Sequence, residues 1–266
     1  MSTFLRVVCS TVFASAVLVT SASPTGCSDD GSGTTGRRIV LETRIAASPE
    51  SKQFTNAKGW NVTITKALVS TGAMYFYDGD PLFAFGPRSR SSGFIRSASA
   101  HPGHYVPGNA KGEMLTPSSA DLLAGTTLGV GDGTTGTVRS ATFTYSSPAT
   151  GPAAGELGAN VIVLEGSAVK ATETRMFHAE LAPGDVVDTK GKTAIEGCPF
   201  AQADMPKDGT VTVTVDLTMW FDQVQFEELP MSVDGRSVTF TDGLARNQLV
   251  RGTKGALSYR FAYASR

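Results

Sequence analysis

The sequence has few of the residues from which metal clusters, disulfide scaffolds and nucleic-acid interfaces are usually built. Its 266 residues include only 3 His and 3 Cys, which excludes multi-histidine metal cages and disulfide-dense scaffolds. Charged residues make up 18%, the formal net charge is -1 and no basic cluster occurs, which argues against nucleic acid as the main partner. The 29 Gly and 13 Pro residues favour turns and strands over long surface helices.

Recognisable catalytic motifs are missing as well. The sequence contains no G-x-S-x-G elbow, no H-E-x-x-H pair and no phosphate-binding loop. Segments 31–36 and 131–136 both match G-x-G-x-x-G, but neither follows a strand and opens a helix, as a dinucleotide site requires. The sequence therefore favours a function without catalysis. An enzyme, either a hydrolase or a copper-dependent oxidase, is the least favoured of three hypotheses.

The N-terminus has the layout of an export signal. Arg6 is the only charge before the apolar run from Val7 to Val19, which is too short to span a bilayer comfortably, and small residues follow it. One interpretation is an ordinary cut after Ala22, and the other is a lipoprotein cut just before Cys27. We predict a signal peptide over 1–26, lipidation of Cys27, and export to the periplasm or the cell surface.

Residues 27–36 are expected to tether the folded domain to the membrane. After Cys27 they are Gly, Ser, Thr and Asp, a composition typical of flexible, solvated linkers. Lipidation of Cys27 leaves Cys198 alone, and an unpaired thiol in an oxidising compartment needs burial, a metal or a partner chain. If Cys27 carries no lipid, a Cys27–Cys198 disulfide is the alternative.

Alternation of apolar and polar residues predicts strands through most of the remaining chain. In the clearest run, Thr210 to Phe221, every second residue is Val, Leu, Met or Phe. Asp-Gly pairs between the runs are turn signals. The predicted strands are 37–45, 60–67, 73–77 with 82–85 as its hairpin partner, 136–145, 160–165, 174–181, 210–221 and 257–263.

Two short helices are expected among these strands. Thr116-Pro117 opens one that Gly125 closes, and Asp242 caps another that runs to about Arg251. Predicted strands greatly outnumber predicted helices, and strands and helices do not alternate as they do in βαβ units. We therefore predict an all-β fold over 37–266, an antiparallel β-sandwich with one or two short helices.

The histidines form the one group of residues that suggests a ligand. His101 and His104 flank a Pro-Gly turn and can converge on one ion, and imidazole suits copper, zinc or nickel. The alternative for this pair is an ordinary surface loop. His178 lies on the less apolar side of its predicted strand, where it shares a face with Met176 and Glu180.

Trp220 is expected on the polar side of its strand, which implies a covering loop or a pocket. Segment 101–115, with Met114, could supply the cover, so that the three histidines and Trp220 meet at one site. The alternative is an aromatic plug beneath a loop, with His178 hydrogen-bonded in a structural role.

The segment from Val161 to Gly166, followed about ten residues later by Phe177-His178, resembles the MbnP-like proteins. These are methanobactin-associated periplasmic proteins, akin to copper-repressible surface proteins of methane oxidisers. Their pattern is a Leu-Glu-Gly strand, a Phe-His strand and a later Cys, for which Cys198 is the counterpart. The family's Trp-rich motif before Leu-Glu-Gly has no counterpart, since no Trp lies between 60 and 220.

This resemblance implies an exported β-sandwich that binds copper through histidines and an oxidised tryptophan. His178 carries over by motif, and Trp220 carries over by its order in the chain.

The leading hypothesis is a lipid-anchored envelope protein that binds a transition metal, copper favoured, without catalysis. Neutral imidazole is the ligand form, so metal binding should weaken as the pH drops through about 6. The second hypothesis is a structural or binding module that presents loops to a protein or glycan, favoured by an exposed aromatic patch around residues 75–85. The candidate metal ligands are His101, His104 and His178, with Trp220, Met114, Cys198 and Met176 as supporting residues.

Overall fold

The computed structural model describes residues 36–82, 105–188, 191–232 and 234–266. Within these ranges the chain is mostly β, with fourteen strands and four short α-helices. The strands are β1 (Arg38–Ala47), β2 (Gln53–Thr55), β3 (Asn61–Thr71), β4 (Met74–Tyr77), β5 (Ala110–Met114), β6 (Ser118–Asp121), β7 (Thr126–Thr134), β8 (Gly136–Thr144), β9 (Ile162–Lys170), β10 (Glu173–Leu181), β11 (Ala194–Met205), β12 (Gly209–Val215), β13 (Val238–Thr239) and β14 (Tyr259–Ser265). The helices are α1 (Ala154–Leu157), α2 (Pro183–Val186), α3 (Leu217–Phe221) and α4 (Leu244–Thr253).

Eight of the strands close into a barrel. Their order is β1-β12-β14-β11-β8-β4-β5-β7, and pairing of β7 with β1 completes the circle. Most neighbours run antiparallel, but β1 pairs with β12 in parallel, and so does β11 with β14. Closure leaves this sheet without a free edge, so its strands find their backbone partners within the barrel.

Side chains fill the barrel interior. Leu41 of β1 is fully buried and faces Gly112 of β5 and Gly133 of β7, which are partners in the strand register. A Cβ atom on either glycine would lie 2.7 Å from Leu41 Cδ1, too close for ordinary contact. Leu41 therefore occupies the space that two other side chains would need, and this level of the barrel is packed core.

The second sheet has the order β13-β10-β9-β3-β2, and β6 also pairs with β3. Its inward side chains, such as Phe177 and Leu164, join the same hydrophobic core as the barrel residues. On its outer face, Leu68 and Val163 pack under Leu157 of helix α1. The prediction of a mostly β fold is confirmed, but a closed barrel with a separate sheet differs from a simple antiparallel sandwich, because the edge strands of the larger sheet pair with each other.

The helix predicted between Thr116-Pro117 and Gly125 is wrong. Residues Ser118–Asp121 form β6, which pairs antiparallel with Leu68–Thr71 of β3. The Asp121 carboxylate then accepts backbone N–H groups from the next turn at 2.9 and 3.3 Å, as Asp does in turns. Pairing with an available sheet edge outweighs the local capping signal. The helix predicted after Asp242 is confirmed as α4, but the predicted cap is wrong, because the N-cap residue is Gly243 and no side chain caps the helix.

The strand predicted to reach Phe221 ends at Val215. Asp216 Oδ1 accepts the backbone N–H of Thr218 at 3.1 Å, so Asp216 caps helix α3. The helix buries both Trp220 and Phe221. The expected position of Trp220 on a polar strand face is therefore wrong.

Candidate functional site

A row of polar side chains crosses three strands on the outer face of the second sheet. His178 of β10 is opposite Glu165 of β9, and Glu165 is opposite Lys66 of β3. Residues directly opposite on neighbouring strands point to the same face. The His178 side chain is 27% exposed and that of Glu165 is 37% exposed, so solvent reaches the row.

Two carboxylates flank the imidazole of His178, one at each ring nitrogen. Nδ1 lies 3.5 Å from Oε1 of Glu165, and Nε2 lies 3.0 Å from Oε1 of Glu180. A neutral imidazole has one N–H donor and one lone pair. With a neutral ring, one carboxylate therefore faces the lone pair, and a metal cation placed between that carboxylate and the ring nitrogen would relieve the repulsion.

Lys66 holds the carboxylate of Glu165 in place beside His178. Its ammonium lies 3.0 Å from Oε2 of Glu156 in helix α1 and 3.2 Å from Oε1 of Glu165. Hydrogen bonds to Glu156 and then to Glu165 raise the pKa of Lys66 above its ordinary value. Glu165 is thus kept beside Nδ1, where it can orient the ring, and Nε2 is left to Glu180. Metal-bound histidines usually have such an orienting partner on the other nitrogen.

The Nε2–Oε1 pair forms a hydrogen bond in this structure, and its separation is also compatible with two ligands of one metal ion. Two atoms that each lie about 2.1 Å from an ion, at an angle of about 90° to 109°, are about 3.0 to 3.4 Å apart. The distance between His178 Nε2 and Glu180 Oε1 is 3.0 Å, and imidazole with carboxylate suits copper, zinc or nickel. Over the described ranges no group of three or more His, Cys, Asp or Glu side chains is arranged to hold an ion. Further ligands would be water or side chains from other parts of the sequence.

Met176 is the one predicted supporting residue that lies beside His178. It is half-buried on the same face of β10, two positions before the histidine. Its backbone N–H donates to the Ser232 hydroxyl at 2.6 Å. His101, His104 and Cys27 lie outside the described residues.

Two other predicted supporting residues lie in the hydrophobic core. Trp220 packs against Tyr259, with ring centroids 6.3 Å apart. Met114 is fully buried on β5, opposite Met74 in the strand register. The structure therefore does not bring them onto the solvent-facing surface that carries His178.

Cys198 is a free, fully buried cysteine on β11. Its Sγ donates to the carbonyl oxygen of Ile195 at 3.3 Å. Burial raises the pKa of the Cys198 thiol to about 12, so almost none of it is thiolate near neutral pH. Of the three ways to protect an unpaired thiol, the structure provides burial.

Sequence reasoning missed Glu165 and Lys66 as neighbours of His178. Alternation along β9 indicates that Glu165 points outward, but which residue it faces depends on the register between strands. An irregularity in β3 between Ile64 and Lys66 also breaks the simple period of two. The residue that faces Glu165 across the sheet cannot be predicted from the sequence pattern of either strand alone.

Comparisons of the chain with protein-family models, curated proteins and solved structures found no match. In the described ranges no helix has the length and apolar character needed to cross a membrane. The donor atoms around His178 are therefore the basis on which a function can be proposed.

Proposed function

We propose that this protein is exported to the cell envelope, is anchored there by a lipid on Cys27, and binds a transition-metal ion, copper favoured, through His178. The observation that carries the metal proposal is the imidazole of His178 between two carboxylates on an accessible face. A cation at Nε2 would be bound by the ring nitrogen and by Glu180 together. The similarity of the Leu-Glu-Gly and Phe-His segments to MbnP-like proteins favours copper among the metals that this donor pair accepts.

Each residue around the ring has a distinct part in this proposal. His178 Nε2 and Glu180 Oε1 are the ligands, and Glu165, held by Lys66, orients the ring from Nδ1. His101 and His104 are the sequence's candidates for the remaining positions. Because each protein ligand replaces a water on the ion, loss of any true ligand should weaken binding.

Calorimetric titration with Cu²⁺ tests the metal proposal. The sample is the mature chain from residue 27, first as the wild type and then as His178→Gln and Glu180→Gln. Loss of one ligand should lower the affinity by more than the roughly tenfold that loss of an orienting partner costs. Glu228→Gln is the control, because it removes an exposed carboxylate elsewhere on the surface and should leave the affinity unchanged.

His101→Gln and His104→Gln complete the panel and decide whether that loop takes part. If the affinity is the same in the wild type, His178→Gln and Glu180→Gln, the proposed site is wrong. Mass spectrometry of the protein from its native membrane tests the anchor, since an acylated Cys27 should be the first residue.

A second candidate is a binding module without a metal, which presents a surface to a protein or a glycan. Tyr75 and Tyr77 favour it, because their half-buried rings lie 6.4 Å apart on one face of β4. Phe76, which the sequence also placed in this patch, is buried. Under this candidate Tyr75→Ala and Tyr77→Ala abolish partner capture, and His178→Gln does not.

A further inference from the structure

Strand directions bring basic side chains together at one end of the barrel. Strands β1 and β12 run parallel, so they start at the same end, and β14 runs antiparallel to β12 and finishes there. Residues at these strand ends and just outside them are therefore neighbours. Together they line a cavity of about 530 Å³. The lining residues are Arg37, Arg38, Val40, Lys207, Asp208 and Arg266.

Cationic side chains outnumber acidic ones in this cavity, since four of its lining side chains are cationic and one carries a carboxylate. That carboxylate, Asp208, accepts the backbone N–H of Val40 at 2.8 Å through Oδ1. Arg37 donates to the carbonyl oxygen of Pro206 at 2.9 Å. In the described ranges no carboxylate oxygen lies within 4.0 Å of the Arg37 guanidinium or the Lys207 ammonium. Arg37 and Lys207 are thus available to an anion.

The other two cations are already paired with carboxylates. Arg38 pairs with Asp132 at 2.9 Å, and the two side chains are 80% and 57% exposed. Arg266 pairs with Glu42. The Arg38–Asp132 pair is exposed and contributes little stability, so a surface of many phosphates can compete for Arg38. The Glu42 side chain is only 16% exposed, so Arg266 keeps this partner and offers an anion its solvent-facing N–H groups.

One exposed apolar side chain, Val40, lines the cavity with the cations, and a second, Val130, lies on the neighbouring strand opposite Glu42. Val40 of β1 is 43% exposed and Val130 of β7 is 62% exposed. Val40 is opposite Asp132, and Val130 is two positions before Asp132 on the same strand, so both valines point outward on neighbouring strands. A surface that combines cations with protruding apolar groups suits the headgroup region of an anionic bilayer.

The predicted lipid anchor lies close to this end of the barrel along the chain. Residues 28–36 separate Cys27 from Arg37. A fully extended segment of that length spans about 30 Å, and a flexible one averages about 17 Å. The tether would therefore hold this end of the barrel, where β1 begins, near the membrane.

We propose that this basic rim (Arg37, Arg38, Lys207, Arg266 and Val40) docks on the anionic phospholipid headgroups of the membrane that carries the anchor. The cations pair with lipid phosphates, and Val40 and Val130 enter the layer between headgroups. Docking rests on the proposed lipid anchor only because the anchor would keep the rim close to the membrane. Binding of the rim to headgroups is a separate property of the folded chain.

Vesicle sedimentation tests the docking without the lipid. The mature chain from residue 27 carries Cys27→Ser, so that no acyl group contributes, and is mixed with vesicles of phosphatidylglycerol and phosphatidylethanolamine or of phosphatidylcholine alone. We expect binding only to the anionic vesicles, with a steep loss as salt is raised. Arg37→Gln with Lys207→Gln should lower the partition coefficient about tenfold or more.

Lys52→Gln with Arg236→Gln is the matched control, because it removes the same charge from exposed positions that do not line this cavity and should bind like the parent. Equal binding of the rim variant and the parent, or no binding to anionic vesicles, overturns the proposal. Tight binding of inorganic phosphate without vesicle binding also overturns it. Copper titration and the mass of Cys27 report on the proposed function independently, so failure of one is distinguishable from failure of the other.

Discussion

The Nε2 atom of His178 lies 3.0 Å from Oε1 of Glu180, two residues further along the same strand. This pair is local, because alternate residues of a strand share a face. Glu165 at the other ring nitrogen comes from a neighbouring strand and depends on register. The two carboxylates should therefore differ in their contribution to metal binding.

Glu165→Gln should weaken Cu²⁺ binding less than Glu180→Gln does. Loss of an orienting residue leaves the ligands in place and costs about tenfold in affinity, at the lower end of the range for such partners. Calorimetric titration of both variants shows which of them loses more Cu²⁺ affinity. An equal or larger loss in Glu165→Gln would show that Glu165 is itself a ligand and that the assignment of roles is wrong.

Asn56→Asp should destabilise the fold strongly, because the buried side chain of Asn56 makes hydrogen bonds in both directions. Its Nδ2 donates to the carbonyl oxygens of Phe221 at 3.1 Å and Val224 at 2.9 Å. Its Oδ1 accepts the backbone N–H groups of Lys58 and Trp60, each at 3.0 Å. A carboxylate cannot donate, so the free energy of unfolding should fall by about 3 kcal/mol or more. Urea denaturation measures this change in the free energy of unfolding.

Asn61→Asp is the control for this change. Asn61 is exposed, and its Oδ1 accepts the hydroxyl of Thr55 at 2.7 Å, which a carboxylate can also do. We expect an unfolding midpoint close to that of the wild type. Similar losses in both variants would mean that a new negative charge, and not the lost donor, is responsible.

Gly252→Ala should also be destabilising, because helices α3 and α4 touch at this glycine. A Cβ atom on Gly252 would lie 2.4 Å from the Trp220 carbonyl oxygen and 2.6 Å from its Cα. The helices would have to separate, at a cost of about 1 to 3 kcal/mol. In Gly155→Ala, on helix α1, the new Cβ meets nothing within 4 Å, and the variant should be as stable as the wild type or slightly more stable. Thermal unfolding of both variants checks the contrast.

Cys198 should resist alkylation in the folded protein. Its thiol is buried, and burial raises its pKa to about 12, so the reactive thiolate is scarce at neutral pH. Iodoacetamide followed by mass spectrometry should modify Cys198 only after denaturation. Rapid labelling of the native chain at pH 7 would contradict this placement.

How far the fold can be predicted depends on the range of the interactions involved. β10 and α4 were predictable, since the period of β10 and the residues that bound α4 lie within single segments. Residues 216–221 were not, because Leu217 and Phe221 share a face in a strand and in a helix, whereas Trp220 joins them only in a helix, which the Asp216 cap starts. Closure of the barrel by β1 and β7 depends on pairing across some ninety residues, which no local pattern reports.

The same distinction between local and long-range interactions applies to the residues of the candidate site. His178, Met176 and Glu180 share a face that alternation predicts, and the structure has them on it. Glu165 enters only through strand register. Trp220 was misplaced because a helix replaced the expected strand end, and that removed it from the solvent-facing surface.

Electron paramagnetic resonance of the mature chain with one equivalent of Cu²⁺ tests whether His178 binds the metal, since nitrogen ligands split the copper signal. We expect nitrogen splitting in the wild type and one fewer coupled nitrogen in His178→Gln, with the control Glu228→Gln unchanged. Identical spectra from the wild type and His178→Gln would contradict this expectation.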